Sequence, residues 1–129
     1  MTGKPSVLIL EDDKETITLY EKTLGKKYDV HTAVSVSEAR QILKKFPIQL
    51  VLLDLSVEGD EDGLDLTRQI RADKKWKKIP VIAVTAHAFI QDMKNCLRAG
   101  CDEYVAKPYP IFELIRKVDG YLTPAAVNS

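Results

Sequence analysis

No apolar stretch of the chain approaches the ~20 residues that a membrane span needs, and the start, Met1 to Lys4, lacks the charged-then-apolar layout of a secretory signal. The expectation is a cytoplasmic protein. Cysteine is scarce: Cys96 and Cys101 have no second pair and no nearby histidine, so a zinc site lacks ligands and the two read as small buried residues. His31 and His87 are too far apart in sequence to suggest a metal pair. Excess charge of either sign is missing too. With 19 Lys+Arg against 19 Asp+Glu there is no global field to draw in nucleic acid or an acidic membrane, so any electrostatic function must be local. Repeats, low-complexity segments and linkers are absent, and 129 residues suit a single domain with its own core and no room for a second.

What the chain does have is alternation: short continuous apolar runs separated by longer segments of helical period, the pattern of a parallel sheet covered on both faces. The runs Val7–Leu10, Tyr28–Ala33, Leu50–Leu53, Val81–Val84 and Glu103–Ala106 read as strands. Between them the spacing predicts helices over Lys14–Leu24 with Gly25 as its stop, from a Ser35/Glu38 capping box to before Pro47, from about Asp62 and Gly63, between His87 and Ala99 with Gly100 as its stop, and from Pro110 to about Leu122. Ile17, Tyr20 and Leu24 form the apolar stripe of the first helix, and Leu19 lies off it. Five right-handed βα units imply an α/β, flavodoxin-like, doubly wound five-stranded parallel sheet of order 2-1-3-4-5 with five helices.

In such a sheet ligands sit beyond the carboxyl ends of the strands. There the sequence places Glu11-Asp12-Asp13, Asp54, Thr85 and Lys107-Pro108. Carboxylates converging from two strands repel unless a cation joins them, and an all-oxygen cluster suits Mg²⁺. A threonine hydroxyl and a lysine ammonium are the groups that grip phosphoryl oxygens, which leaves Asp54 in a nucleophile's place. Taken singly, each has a plainer role: Asp13 as a helix cap, Lys107 as a snorkelling surface lysine.

The stretches Val7–Asp13, Leu50–Leu55, Asp62–Leu64, Pro80–Ala86 and Ala99–Pro108 together resemble the receiver domain of a two-component response regulator, of the single-domain chemotaxis-receiver type. The resemblance runs over about residues 5–122 and leaves a short tail, 123–129, of a single domain spanning 1–129. It implies that Asp54 accepts a phosphoryl group from a phosphohistidine. Asp12, Asp54 and the backbone carbonyl of Ser56 would bind Mg²⁺, with Glu11 assisting through water, and Thr85 and Lys107 would contact the phosphoryl oxygens. It further implies a switch pair, Thr85 and Tyr104, that reshapes the surface of the fourth helix, fifth strand and fifth helix. Ser56 and His87 would tune the phosphoryl lifetime, and the Lys107-Pro108 bond would be cis. The implied partners are a histidine kinase or histidine phosphotransfer protein as donor and a downstream protein target, without direct nucleic acid contact. The chain would be a phosphoacceptor and not a turnover enzyme, whether it stands alone or is cut from a hybrid histidine kinase.

Two places depart from the pattern. Glu58 stands where receivers usually have proline, and the loop to Gly63 is one residue longer and acidic through Glu58, Asp60, Glu61 and Asp62. Asp54 to Asp65 also has the ligand spacing of an EF-hand calcium loop, with Gly59 at its sixth position. It follows an apolar run instead of an amphipathic helix and lacks the terminal glutamate. An aspartyl-nucleophile phosphatase would need an acid two places after Asp54, where Ser56 stands. The basic stretch Lys74–Lys78 around Trp76 reads as a solvated helix end whose lysines favour the macrodipole, with a patch for nucleic acid or an acidic partner as the alternative. Leu19 is either part of a docking face for the phosphodonor or half-buried core.

Overall fold

In a computed structural model, which describes residues 3–57, 62–86 and 90–122, β1 (Ser6–Leu10) is buried along its whole length. A strand apolar on both faces has to lie inside a covered parallel sheet. It does: β1 pairs with β2 (Asp29–Ala33) on one side and β3 (Ile48–Asp54) on the other, and β4 (Val81–Thr85) and β5 (Glu103–Ala106) follow. All pairings are parallel, in the order β2-β1-β3-β4-β5.

Alternation along the strands splits the core in two. Leu8, Leu10, Val51, Leu53, Val81 and Ala83 point to the face covered by α2 (Val36–Lys45), α3 (Gly63–Ala72) and α4 (Ile90–Ala99). Val7, Ile9, Leu50, Leu52, Ile82 and Val84 point to the face covered by α1 (Lys14–Thr23) and α5 (Ile111–Leu122). That is the division right-handed crossovers demand of this strand order.

The helix starts use short polar side chains. Asp13 caps α1, Ser35 caps α2 through the Glu38 N–H at 3.2 Å, and Asp62 caps α3 through the Asp65 N–H at 2.8 Å. The capping box at α2 is incomplete, because the Glu38 carboxylate reaches the Val34 N–H, at 3.5 Å, and not that of Ser35. Gly100, at φ +110°, ends α4 in the left-handed region, as the spacing predicts.

Several of the expected boundaries shift, β1 and β4 by a single residue. β3 begins at Ile48 and includes Asp54. Tyr28 precedes β2, because a 3-10 turn over Leu24–Lys26 takes its N–H onto the Leu24 carbonyl. That turn, and not a left-handed Gly25, ends α1; only Gly3 and Gly100 among the described residues have positive φ. α3 stops at Ala72, so Lys74–Lys78 lie beyond the helix in a loop held by Asp73, whose carbonyl accepts from the Trp76 and Lys77 N–H groups and whose carboxylate accepts from that of Lys75. The reading of these lysines as a helix end is corrected accordingly.

Cys96 and Cys101 are buried free thiols, as expected. Leu19 is 43 % exposed, off the buried stripe. No helix among the described residues is long and apolar enough to cross a membrane.

Candidate functional site

Glu11, Asp12 and Asp13 follow β1 and divide three ways. The Glu11 N–H donates to Ala33 at 2.9 Å, which turns its side chain inward. One carboxylate oxygen, Oε1, then accepts from the Asp12 and Asp13 N–H groups at 3.1 and 3.0 Å. The other, Oε2, is buried without a hydrogen-bond partner. Burial, with the neighbouring Asp54 carboxylate, pushes the Glu11 carboxyl up to about 7. Asp12 is exposed. Asp13 is the helix cap that its plainer reading required, accepting from the Thr16 N–H at 2.9 Å and hydroxyl at 2.6 Å.

Asp54 ends the strand between β1 and β4 and is 3 % exposed. Its Oδ1 accepts from the Ser56 N–H at 2.8 Å and the Ser56 hydroxyl at 2.6 Å, and its Oδ2 accepts from Lys107 Nζ. Burial alone would raise the Asp54 carboxyl, but Glu11, Lys107 and Ser56 outweigh it and hold the group below the usual carboxylate range. For Lys107 burial pulls the ammonium down, and Asp54 and Glu11 more than reverse it. The lysine therefore turns into the site instead of snorkelling.

Thr85, buried at the end of β4, accepts the Lys107 N–H on its carbonyl at 2.8 Å, so the backbone that carries the lysine is sewn to the strand beside Asp54. The Lys107-Pro108 bond is cis. Tyr104 lies along β5 from there and packs against the core under α4. Burial first, then Cys96 and Asp92 on that helix, raises its phenol. Glu11, Asp54, Ser56, Thr85 and Lys107 are thus brought together, Asp12 stands at their rim, and Tyr104 sits one layer away. His87 and the acidic residues Glu58, Asp60 and Glu61 lie outside the described residues. The EF-hand reading fails on its incoming element, since Leu50–Leu53 belong to a buried strand.

Sequence reasoning missed the polar supports. The Tyr20 hydroxyl of α1, on a residue read only as part of an apolar stripe, hydrogen-bonds the Tyr109 hydroxyl two residues beyond Lys107. Arg71 and Asp102 tie α3 to the start of β4. Apart from the position of Tyr109 beside the Lys107-Pro108 motif, nothing local in the sequence marks these pairs.

The donors gathered here suit a hard ion such as Mg²⁺ better than a soft metal: oxygens of the Glu11 and Asp54 carboxylates, one of them buried and unpartnered. Among the described residues no group of three or more His, Cys, Asp or Glu side chains is gathered as a metal cage.

A parallel five-stranded sheet with buried Asp54 and Thr85 and an inward-turned Lys107 at its carboxyl edge defines a class that known proteins share. The family model described as the response regulator receiver domain matches residues 7–119, and the chain belongs to that family. Among its relatives is the polar-differentiation response regulator DivK of Brucella abortus and Brucella suis, 30 % identical over 121 residues, covering 93 % of this chain and 98 % of the relative. Among solved structures, a response regulator from Chloroflexus aurantiacus is similar at TM-score 0.85 and 30 % identity, over 93 % of this chain and 98 % of that one. The receiver domain of a sensor histidine kinase from Pseudomonas aeruginosa, solved with magnesium in its active-site cleft, is similar at TM-score 0.80 and 30 % identity, over 94 % and 99 % of the two chains.

Proposed function

We propose that the chain is a phosphorylatable switch in a His-to-Asp relay, with Asp54 as the acceptor. The observation that carries this is one buried carboxylate held between Lys107 and Ser56, beside a Glu11 oxygen that has no partner. An Asp54 oxygen attacks the phosphorus of a phosphohistidine in line. The P–N bond breaks, its electrons leave with the imidazole, and an acyl phosphate forms. Phosphoryl transfer asks mainly for placement and charge neutralisation. Lys107 already points at Asp54, and both it and the Thr85 hydroxyl would grip the transferred oxygens.

Asp12, Asp54 and the Ser56 carbonyl would hold Mg²⁺, with Glu11 acting through water. Bound there, the ion supplies positive charge for the phosphoryl oxygens. Ser56 and His87 would set how long the acyl phosphate survives.

The output runs through Thr85 and Tyr104. Tyr104 packs under α4, whose outer face shows Ile90, Met93 and Leu97, with Phe112 exposed on α5. A partner protein reading this apolar surface would sense any shift of Tyr104 that follows phosphorylation. The donor is a histidine kinase or a histidine phosphotransfer protein, the setting is the cytoplasm, and the chain turns over no external substrate.

Intact mass after incubation with Mg²⁺ and acetyl phosphate tests the acceptor. One phosphoryl group should be added to the parent chain and none to Asp54→Asn. Labelling of both, or of neither, overturns the assignment. Calcium titrated without donor should show no tight preference over magnesium.

A further inference from the structure

The opposite edge of the sheet carries a feature that phosphoryl chemistry does not use. β3 spans about 20 Å from Ile48 to Asp54 at the usual rise per residue, so residues that precede β3 and β4 lie far from the acceptor. There the end of α2 and the loop after α3 enclose two adjoining concavities of ≈ 600 and ≈ 490 Å³, which share Leu43, Lys44, Lys75 and Trp76. Their floor includes Leu43, Phe46, Trp76 and Ile79. Their rim is basic. Lys44 and Lys45 come from α2 and Lys74 and Lys75 from the loop, all four exposed.

None of these ammonium groups has an ion-pair or hydrogen-bond partner among the described residues, and Lys45 only rests over the Phe46 ring, 5.6 Å from its centre. One acid lines the groove, Asp73, and its carboxylate is engaged by the Lys75 N–H at 2.7 Å. Four like charges around an apolar floor create a local positive potential that an anionic segment complements.

We infer that this groove is a docking site for an acidic peptide segment of a partner protein, with one apolar side chain seated between Phe46 and Trp76. Nucleic acid fits less well. Its bases need a free aromatic face, but Phe46 has the His31 ring 4.3 Å away as well as Lys45 above it, and Trp76 is packed against the core. Arginine, the residue that matches phosphate as a planar fork, is absent from the groove. A lipid surface fits no better, because every large exposed apolar residue among those described (Leu19, Val34, Ile90, Met93, Leu97 and Phe112) lies elsewhere.

Trp76 is the only tryptophan of the chain, so its emission reports on the groove directly. The whole chain is titrated with a short Asp/Glu peptide bearing one central leucine. The emission of Trp76 should change saturably, and the affinity should fall roughly tenfold as salt rises from about 0.05 to about 0.3 M. Lys44→Glu combined with Lys75→Glu should weaken binding by roughly tenfold or more, Lys74→Gln combined with Lys75→Gln by less, and Lys22→Glu on α1 not at all. Far-UV circular dichroism checks that each variant is folded. The inference is overturned if the peptide leaves Trp76 emission unchanged, if all the variants bind alike, or if oligo-dT or phosphatidylglycerol vesicles bind more tightly than the peptide.

Discussion

Around Asp54, at the carboxyl edge of the sheet, three charged groups are sheltered and interlocked while Asp12 and Asp13 face solvent beside them: Glu11 is 2 % and Asp54 3 % exposed, and Lys107 turns inward to meet them. At the amino edge Lys44, Lys45, Lys74 and Lys75 stand in water with no ionic partner among the described residues. The contrast is one of cost. A buried charge persists only where partners compensate its desolvation, so the geometry around Asp54 is over-determined and removing one member strands the others. An exposed lysine costs the fold almost nothing and is free to be used in binding. Net neutrality thus hides two regions that respond to substitution in opposite ways.

The sharpest way to break this contrast is Arg71, the amino-edge cation that does not follow the rule. Its Nε donates to the Gly100 carbonyl at 2.9 Å, and Nη1 donates to those of Lys77 and Ile79 at 3.0 and 2.7 Å. Nη2 donates to Asp102 at 2.7 Å. The same Asp102 oxygen accepts the Val81 N–H at 2.8 Å, so one side chain fastens α3 to the loops that enter β4 and β5. Arg71→Ala should cost about 3 kcal/mol in urea unfolding, whereas Lys74→Ala and Lys75→Ala should stay within about 0.5 kcal/mol. Arg71→Lys should recover little, because one ammonium cannot span three carbonyls and a carboxylate. An Arg71→Ala loss as small as that of the lysines would mean that burial and partnering do not separate the two classes.

The tyrosine pair tests the other region. Tyr20 is 2 % exposed and bonded to Tyr109, so Tyr20→Phe or Tyr109→Phe leaves one hydroxyl without its partner near the Asp54 site. Each should cost about 1–2 kcal/mol in the same unfolding assay. The double variant removes both polar atoms and should cost clearly less than the two losses added together. Strict additivity would show that the hydroxyls do not depend on each other.

These supports mark the limit of what the chain reveals before its structure. Strand order, the two-faced core and the gathering of Asp54, Thr85 and Lys107 follow from apolar runs and strand-end residues, both of which are local in sequence. The Tyr20–Tyr109 contact joins residues 89 apart and the Arg71–Asp102 contact residues 31 apart. Each member alone reads as an ordinary core aromatic or surface charge. The basic groove was half visible: Lys74–Lys78 stood out as a run, but Lys44 and Lys45 join it only because α2 ends beside the loop after α3. The division of labour among Glu11, Asp12 and Asp13 was equally hidden, since it depends on which backbone N–H groups each carboxylate meets.

The smallest expected effect concerns Lys27, a lysine that precedes β2 and does have a partner. Its Nζ donates to Asp119 of α5 at 2.9 Å, and the Tyr28 hydroxyl donates to the other oxygen of the same carboxylate. Burial would raise the Asp119 carboxyl, but the Tyr28 hydroxyl and Lys27 outweigh it and hold it below its ordinary 3.8. The native carboxyl therefore releases its proton more readily than the unfolded chain does, and the unfolded state takes up protons first as the pH falls. The stabilisation is complete above the unfolded value and is lost as the pH falls through the native one. Allowing for the solvent around a pair that is 59 % and 26 % exposed, the contribution should be about 0.5–1 kcal/mol. It reads out as the part of the stability difference between about pH 6 and about pH 3 that Asp119→Asn removes. Tyr28→Phe should remove more of that slope than Lys27→Met, because the phenol is buried and the ammonium is largely in water. The reverse order would put the exposed ion pair ahead of the sheltered hydrogen bond and would break, at its weakest point, the rule that separates the two edges.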